Sequence, residues 1–355
     1  MPRWALLIPI AAVVVLTAGI ALPDQPAVLI TAIVALVAAV FAAVHHAEVV
    51  AHRVGEPFGT LVLALAVTVI EVALIVSMML AGGPDKAALP RDTIFAAIMI
   101  ICNGVMGVCL LVGGLHHREQ LFRVEGATTG FGALIALAAL SLVLPNFTVS
   151  SAGPTYTESQ LAFAGTASLV LWAVFAFFQT VRHRHYFLAV GASEEDNQHA
   201  ERPSTKLTWA SFVLLLVSLV VVIGLAKVLS PSIESGLAHA GAPKAVVGIA
   251  IALLVLMPET WAAVRAARAD RVQTSLNLAI GSALASIGLT IPAVAATSVL
   301  LDLPLVLGLD PKDMVLLFVS FLVGAITLGT GRTNVMQGAV HLVLFAAFLF
   351  LALVP

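Results

Sequence analysis

Two glutamates sit where the chain is otherwise hydrocarbon. Glu71 lies near the middle of "LALAVTVIEVALIVSMM", residues 63–79, and Glu259 lies within the apolar run that follows Gly241. An ionised carboxylate in apolar surroundings is costly unless water, a partner or a bound cation meets it. No Lys or Arg falls at the same depth in any apolar run, so a salt bridge accounts for neither acid. Two carboxylates brought together in a low dielectric cannot both stay ionised and empty: protons neutralise them, or a cation does. A divalent ion or a pair of protons serves equally well. Such a site exchanges one for the other by mutual exclusion, with no covalent chemistry, no enzyme activity and no cofactor.

A cation needs more oxygen than two glutamates supply; calcium takes about six to eight oxygens at roughly 2.3–2.6 Å. The sequence offers supporting ligands. Thr68 stands three residues before Glu71 on the same helical face. Asn103 falls in "CNGVMG", and Ser282 in "IGSALAS", a run that also holds Gly281 and Ser286. Pro258 lacks the N–H that would bond the carbonyl of Leu254, which frees an oxygen one turn from Glu259. Ser and Thr also pack helices closely or bond back to their own backbone, a second use for these residues.

The elements that carry these groups are membrane helices. The chain has 355 residues, is 61% hydrophobic and only 10% charged, and alternates long apolar runs with short polar breaks, which marks a polytopic membrane protein. Cutting at the breaks gives about eleven spans, at 4–22, 27–51, 57–82, 92–115, 126–145, 159–182, 207–230, 243–268, 272–299, 312–330 and 333–354. The first run is long enough to span and is read as a retained helix rather than a signal peptide. With the N-terminus in the cytoplasm and the C-terminus outside, twelve of the 17 Lys and Arg fall inside; Lys86, Arg91, Lys227, Lys244 and Lys312 fall outside. The expected partners are the lipid bilayer, cations and protons, with no nucleic acid, and the expected location is a bacterial cytoplasmic (inner) membrane. Cys102 and Cys109 read as small packing residues.

The two halves share a pattern. "EVVAHRVGEP" runs from Glu48 to Pro57 and "ESGLAHAGAP" from Glu234 to Pro243, each with Gly and Pro at the same places, and each is followed by an apolar run with one acid. Glu71 stands about 14 residues into its helix, or ~21 Å, and Glu259 about 16 into its own, so both reach mid-membrane. The expected fold is therefore all-α: a first helix (1–26), a five-helix repeat (27–182), a cytoplasmic linker (183–206) and a second five-helix repeat (207–355). Five spans is an odd number, so the second repeat is inverted relative to the first. Inverted repeats with a midplane site are typical of secondary transporters. Glu48 and Glu234 then lie at opposite entrances.

Histidines cluster on the cytoplasmic side of this arrangement. His45, His46, His52, His116 and His117 are candidates for pH sensing, since histidine titrates near cytoplasmic pH; the positive-inside bias is the plainer explanation. Two rival functions remain. His45, Glu48 and His52 share one helical face at a spacing that can hold zinc, as in a metal carrier or metalloenzyme, although no HExxH-type motif is present. A cation channel is the other, but channels build filters from rings of groups rather than one acid per half.

"GEPFGTLVLALAVTVIEVALI" (Gly55–Ile75) resembles, without a gap, the first α-repeat of the calcium/proton antiporter branch of the cation/calcium exchanger superfamily. "MPETWAAVRAARADRVQTSLNLAIGSALASIGLTIP" (Met257–Pro292) resembles the second, with Gly281-Ser282 at the Gly-Ser of that pattern; "GGLHHREQLF" and the closing "GRTNVMQGAVHLVLFAAFLFLALVP" add to the likeness. It covers nearly the whole chain and is closest to the bacterial subgroup that includes sodium(potassium)/proton antiporters. The resemblance implies a cation/proton antiporter exporting Ca2+, or Na+ or K+, with Glu71 and Glu259 shared by cation and proton and Glu48 as the acid of the preceding helix. Val67-Thr68 stands where the family has Gly-Asn, and Ala285 where a Gln follows the second Gly-Ser. Several neutral oxygen ligands are thus missing, which moves the expectation toward sodium or potassium.

Overall fold

Apolar runs of this length can satisfy their backbone only as helices, and each of them forms one in the computed structural model. It describes residues 1–23, 25–55, 58–188, 203–239, 243 and 245–354; within helices, the side chains at 58–61, 63–64, 81–82, 234 and 237–239 lie outside that description. In order, the helices are α1 (Arg3–Ala21), α2 (Pro26–Val54), α3 (Phe58–Gly82), α4 (Leu89–Met99), α5 (Met106–His117), α6 (Val124–Ala138), α7 (Glu158–Phe177), α8 (Thr205–His239), α9 (Ala245–Arg268), α10 (Val272–Leu301), α11 (Pro311–Gly329) and α12 (Val335–Leu353). Among the described residues, ten helical rods are long and apolar enough to cross a membrane, and Leu65–Leu80 of α3 supplies a further apolar helix. Large apolar side chains such as Leu7, Val14, Phe163, Trp209, Trp261 and Phe318 point outward, as lipid-facing residues do.

Two boundaries differ from expectation. The fourth span is not one α-helix: a π-helical turn at Ile100–Val105 joins α4 to α5. The helix expected to end at 230 runs on to His239 with Pro231 inside it, because a proline removes one hydrogen bond without stopping a helix that is packed along its length. π-turns also close the sixth and seventh helices, at Ala139–Val143 and Phe178–Arg182. All three lie in the first half of the chain.

Helix ends gather at two faces. At one face His46 Nε2 lies 2.8 Å from the Ala5 carbonyl, Arg53 donates to the Pro203 carbonyl and Thr205 Oγ1 (both 3.0 Å), and His117 Nε2 lies 2.9 Å from the Arg268 carbonyl. There a short antiparallel pair, β1 (Gln120–Leu121) with β2 (Arg332–Thr333), ties the α5–α6 and α11–α12 turns. At the other face Val306 N donates to the Ala87 carbonyl, Gly308 N to the Pro154 carbonyl and Arg91 to the Gly308 carbonyl. Successive spans therefore alternate in direction, with α4, the π-turn and α5 forming one span.

Packing runs crosswise between the halves. α2 lies along α8, α3 packs on α10, and α9 packs on α4 and α5; α5 packs on α12, and α7 on α10. Small residues permit close approach where no water competes: a Cβ on Gly165 would meet Pro292 Cα at 3.2 Å, and one on Gly107 would meet His341 Cβ at 3.1 Å. The site lies inside this crossing.

Candidate functional site: a paired-carboxylate centre

Three helices build the site. α3 carries Glu71, α9 carries Glu259, and α10 packs against both. Ser282 and Ser286 are four residues apart, one turn of α10, and so share a face. Ser286 Oγ donates to Glu71 Oε2 at 2.7 Å, and Ser282 Oγ donates to Glu259 Oε2. One helix turn thus presents two hydroxyls to two carboxylates that arrive from different halves of the chain.

Their surroundings differ. Glu71 is 2% exposed, and its second oxygen, Oε1, is buried with no hydrogen-bond partner among the described residues. Glu259 is half-buried at the end of a small cleft lined by Ser282, Thr260, Ala263, Leu278 and Ile101. Of its lining residues, Thr260 and Ala263 follow Glu259 along α9 toward Arg268, and Leu278 precedes Ser282 on α10, between it and Arg271. Neither glutamate has an ion-pair partner among the described residues, where the ion pairs seen are Arg91–Asp92, Arg91–Asp310 and Arg332–Glu119, all at helix ends. Two carboxylates with hydroxyl donors and no base form a site whose charge is completed by protons or by a metal cation.

The expected supporting groups are distributed unevenly. Thr68 is buried one turn before Glu71 on α3. Pro258 lies inside α9, so the Leu254 carbonyl has no helical N–H partner and stays available to a ligand. Asn103 is not on the carboxylates: its Nδ2 donates to Ser320 Oγ at 2.8 Å, and its Oδ1 faces His341 Nδ1 at 3.3 Å. Ser286 is the hydroxyl on Glu71 that sequence reasoning left unassigned. Its signal was the second serine of "GSALAS", one turn after the first, matching two acids to two hydroxyls.

Outside the centre, Glu48 is exposed near the end of α2, and Glu234 belongs to α8 with its side chain outside the described residues. His52, His116 and His117 are exposed at the same face, whereas His46 is fully buried against Ala5, and His45 lies 4.9 Å from the Trp4 ring, tilted 50° to it. The zinc reading of His45, Glu48 and His52 fails: no group of three metal-capable side chains forms among the described residues. The His45 ring is taken up by Trp4, while Glu48 points away into the open. Cys102 and Cys109 are buried free thiols.

Comparison with known proteins agrees with this architecture. A family model described as "Sodium/calcium exchanger protein" matches residues 25–181 and 210–354, two blocks separated by the α7–α8 connection. The "Putative ionic transporter y4hA" of Sinorhizobium fredii is 47% identical over 362 aligned positions, covering 100% of this chain and 97% of that protein. The "Sodium-potassium/proton antiporter ChaA" of Escherichia coli is 35% identical, covering 97% and 94%. The solved structure of native YfkE superposes with a TM-score of 0.73 at 17% identity, over 99% of this chain and 100% of that one, a likeness of fold. The chain is a membrane transporter, not an enzyme, and belongs to the sodium/calcium exchanger family.

Proposed function

We propose that this protein is a cation/proton antiporter that exports Na+, K+ or Ca2+ by alternating access, with cation and protons competing for Glu71 and Glu259. The observation that carries the reading is the α10 turn on which Ser286 and Ser282 hold the buried Glu71 and the half-buried Glu259, with no basic partner among the described residues. The pair is neutral when loaded, by one Ca2+ on two carboxylates or by one Na+ or K+ beside a retained proton, and neutral when empty with both carboxyls protonated. Either form can cross the midplane, whereas the charged empty form is too costly to do so. That restriction couples the two fluxes.

Support for a monovalent cargo comes from the 35% identical relative, whose name is sodium-potassium/proton antiporter, and from the shortage of neutral oxygens around the acids. Support for two inverted repeats, 27–182 and 207–355, comes from the crosswise packing, in which the third helix of each half meets the last helix of the other. Support for a cytoplasmic assignment of one face, in a bacterial inner membrane, comes from the concentration of Lys and Arg at the face with Arg53, Arg118, Arg268 and Arg271. The cleft at Glu259 then leads inward.

The test is proton flux in sealed proteoliposomes driven in turn by sodium, potassium and calcium gradients. An antiporter moves protons against the imposed cation gradient, and Glu71→Gln or Glu259→Gln stops it. A channel dissipates both gradients without coupling.

A further inference from the structure

Away from the carboxylates, a second polar cluster is sealed among the π-turn, α11 and α12. Asn103, Ser320 and His341 are each 0% exposed, and Thr327 is 3% exposed. Its hydrogen bonds read in one direction. Ser320 Oγ donates to the Leu316 carbonyl (2.7 Å) and accepts from Asn103 Nδ2 (2.8 Å). Asn103 Oδ1 then accepts from His341 Nδ1 (3.3 Å), which leaves His341 Nε2 to accept from Thr327 Oγ1 (3.1 Å). Both ends of the Asn103 amide are occupied. No Asp, Glu, Lys or Arg hydrogen-bonds this cluster among the described residues.

The cluster backs directly onto the cation centre. Ile101 and Val105, two residues either side of Asn103, line the Glu259 cleft. Asn103 is thus at the depth of Glu259, with its side chain turned to the opposite side of the π-turn. That turn holds one residue more than an α-helix would; returning it to α-geometry rotates the residues beyond it by about 100°, one residue's step. α12 packs closely against the turn: a Cβ on Gly104 would meet the Phe345 ring at 3.3 Å and one on Gly107 would meet His341 Cβ at 3.1 Å. His341 therefore stands against the turn as a fixed tether.

Resting on the proposed antiport at Glu71 and Glu259, the geometry points to His341 as a positioning residue for cation selectivity. With Ser320, it holds the amide of Asn103 off the carboxylates and withholds a neutral oxygen from the bound cation. The two acids and two serines offer at most six oxygens, the lower end of the roughly six to eight that calcium takes, so a withheld neutral oxygen bears on calcium more than on a singly charged ion. The tether favours the monovalent ions. Releasing it lets the amide turn to the site and raises the relative use of calcium.

The experiment compares proton flux driven by calcium with that driven by sodium and by potassium in proteoliposomes. The proteins are wild type, His341→Leu, Ser320→Ala and the double variant His341→Leu/Asn103→Leu, with folding checked by size exclusion. His341→Leu is expected to raise the calcium-to-sodium ratio by on the order of fivefold, the effect of one added ligand. Ser320→Ala removes the other tether and is expected to shift the ratio the same way by less; it carries the test if His341→Leu does not fold. The double variant returns the ratio to that of wild type, since the freed amide is gone. A uniform loss of flux for all three cations, an unmoved ratio, or a shift that persists without Asn103 overturns the inference. Glu71→Gln in the same assay separates the outcomes: flux that survives it defeats the antiport reading itself, whereas flux that it abolishes beside an unmoved ratio defeats the selectivity role alone.

Discussion

Glu71 and Glu259 occupy corresponding places in the two halves and accept hydrogen bonds from serines one turn apart, but they differ in access. Glu71 is enclosed by α3 and α10, with one oxygen left without a partner among the described residues. Glu259 looks onto a cleft. The helices around them differ in the same sense: α10 is α-helical from Val272 to Leu301, whereas its counterpart breaks into a π-turn at 100–105. The chemistry of the centre is nearly symmetric and its access is not. An exchanger working by alternating access requires that combination, because a site open to both faces at once leaks and a site open to neither does not exchange.

The comparison can be broken first at the acids. Glu71→Gln and Glu259→Gln keep size and polarity but cannot ionise, so each is expected to abolish cation-coupled proton flux while the protein remains folded. Flux retained in either variant removes that residue from the centre. The serines sharpen the difference in access. Ser286 is the hydroxyl seen on a sealed carboxylate, and a hydrogen bond to a charged group contributes ~1.5–3 kcal/mol, so Ser286→Ala should weaken apparent cation affinity about tenfold or more. Ser282→Ala should cost about threefold, since water in the cleft can replace its hydroxyl. Equal effects would mean that the two acids are equally accessible.

Cytoplasmic pH acts through the same competition. If cation and protons compete at the carboxylates as proposed, lowering it loads protons onto them, so the apparent KM for the cation at that face should rise toward acid, by up to about tenfold per pH unit for each competing proton, and export should strengthen toward alkaline pH. His52, His116 and His117 are exposed at that face. Replacing them by Gln shifts the profile if they sense pH, and an unchanged profile assigns the whole dependence to the glutamates. The smallest effect is expected at the entrances: Glu48→Gln should weaken affinity from the cytoplasmic side and Glu234→Gln from the outer side, each a few-fold, as electrostatic attraction at a screened surface allows. Sided transport assays read this directly, and symmetric losses would contradict the inverted arrangement.

The spans and both acids could be read from the sequence because hydropathy alone sets them: a run of about 20 apolar residues has one stable form in lipid, and a lone carboxylate within it stands out. The π-turn at Ile100–Val105 could not. One extra residue in a uniformly apolar helix changes neither composition nor any repeating pattern, and the turn is fixed by what α11 and α12 place against it. Asn103 shows the consequence. As a residue type it suits a cation ligand, but its direction depends on Ser320 and His341, more than 200 positions away in the chain. Ser286 was missed for the converse reason: its partner is on a helix of the other half, and spacing within α10 does not say which helix lies opposite.

Cation-induced proton release from the purified protein in lightly buffered solution tests the central claim most directly. If cation and protons compete for Glu71 and Glu259, adding sodium, potassium or calcium to wild type at near-neutral pH releases protons in proportion to the site filled, and the Glu71→Gln/Glu259→Gln double variant releases none. Cation binding without proton release in wild type, or release that persists undiminished in the double variant, would contradict it.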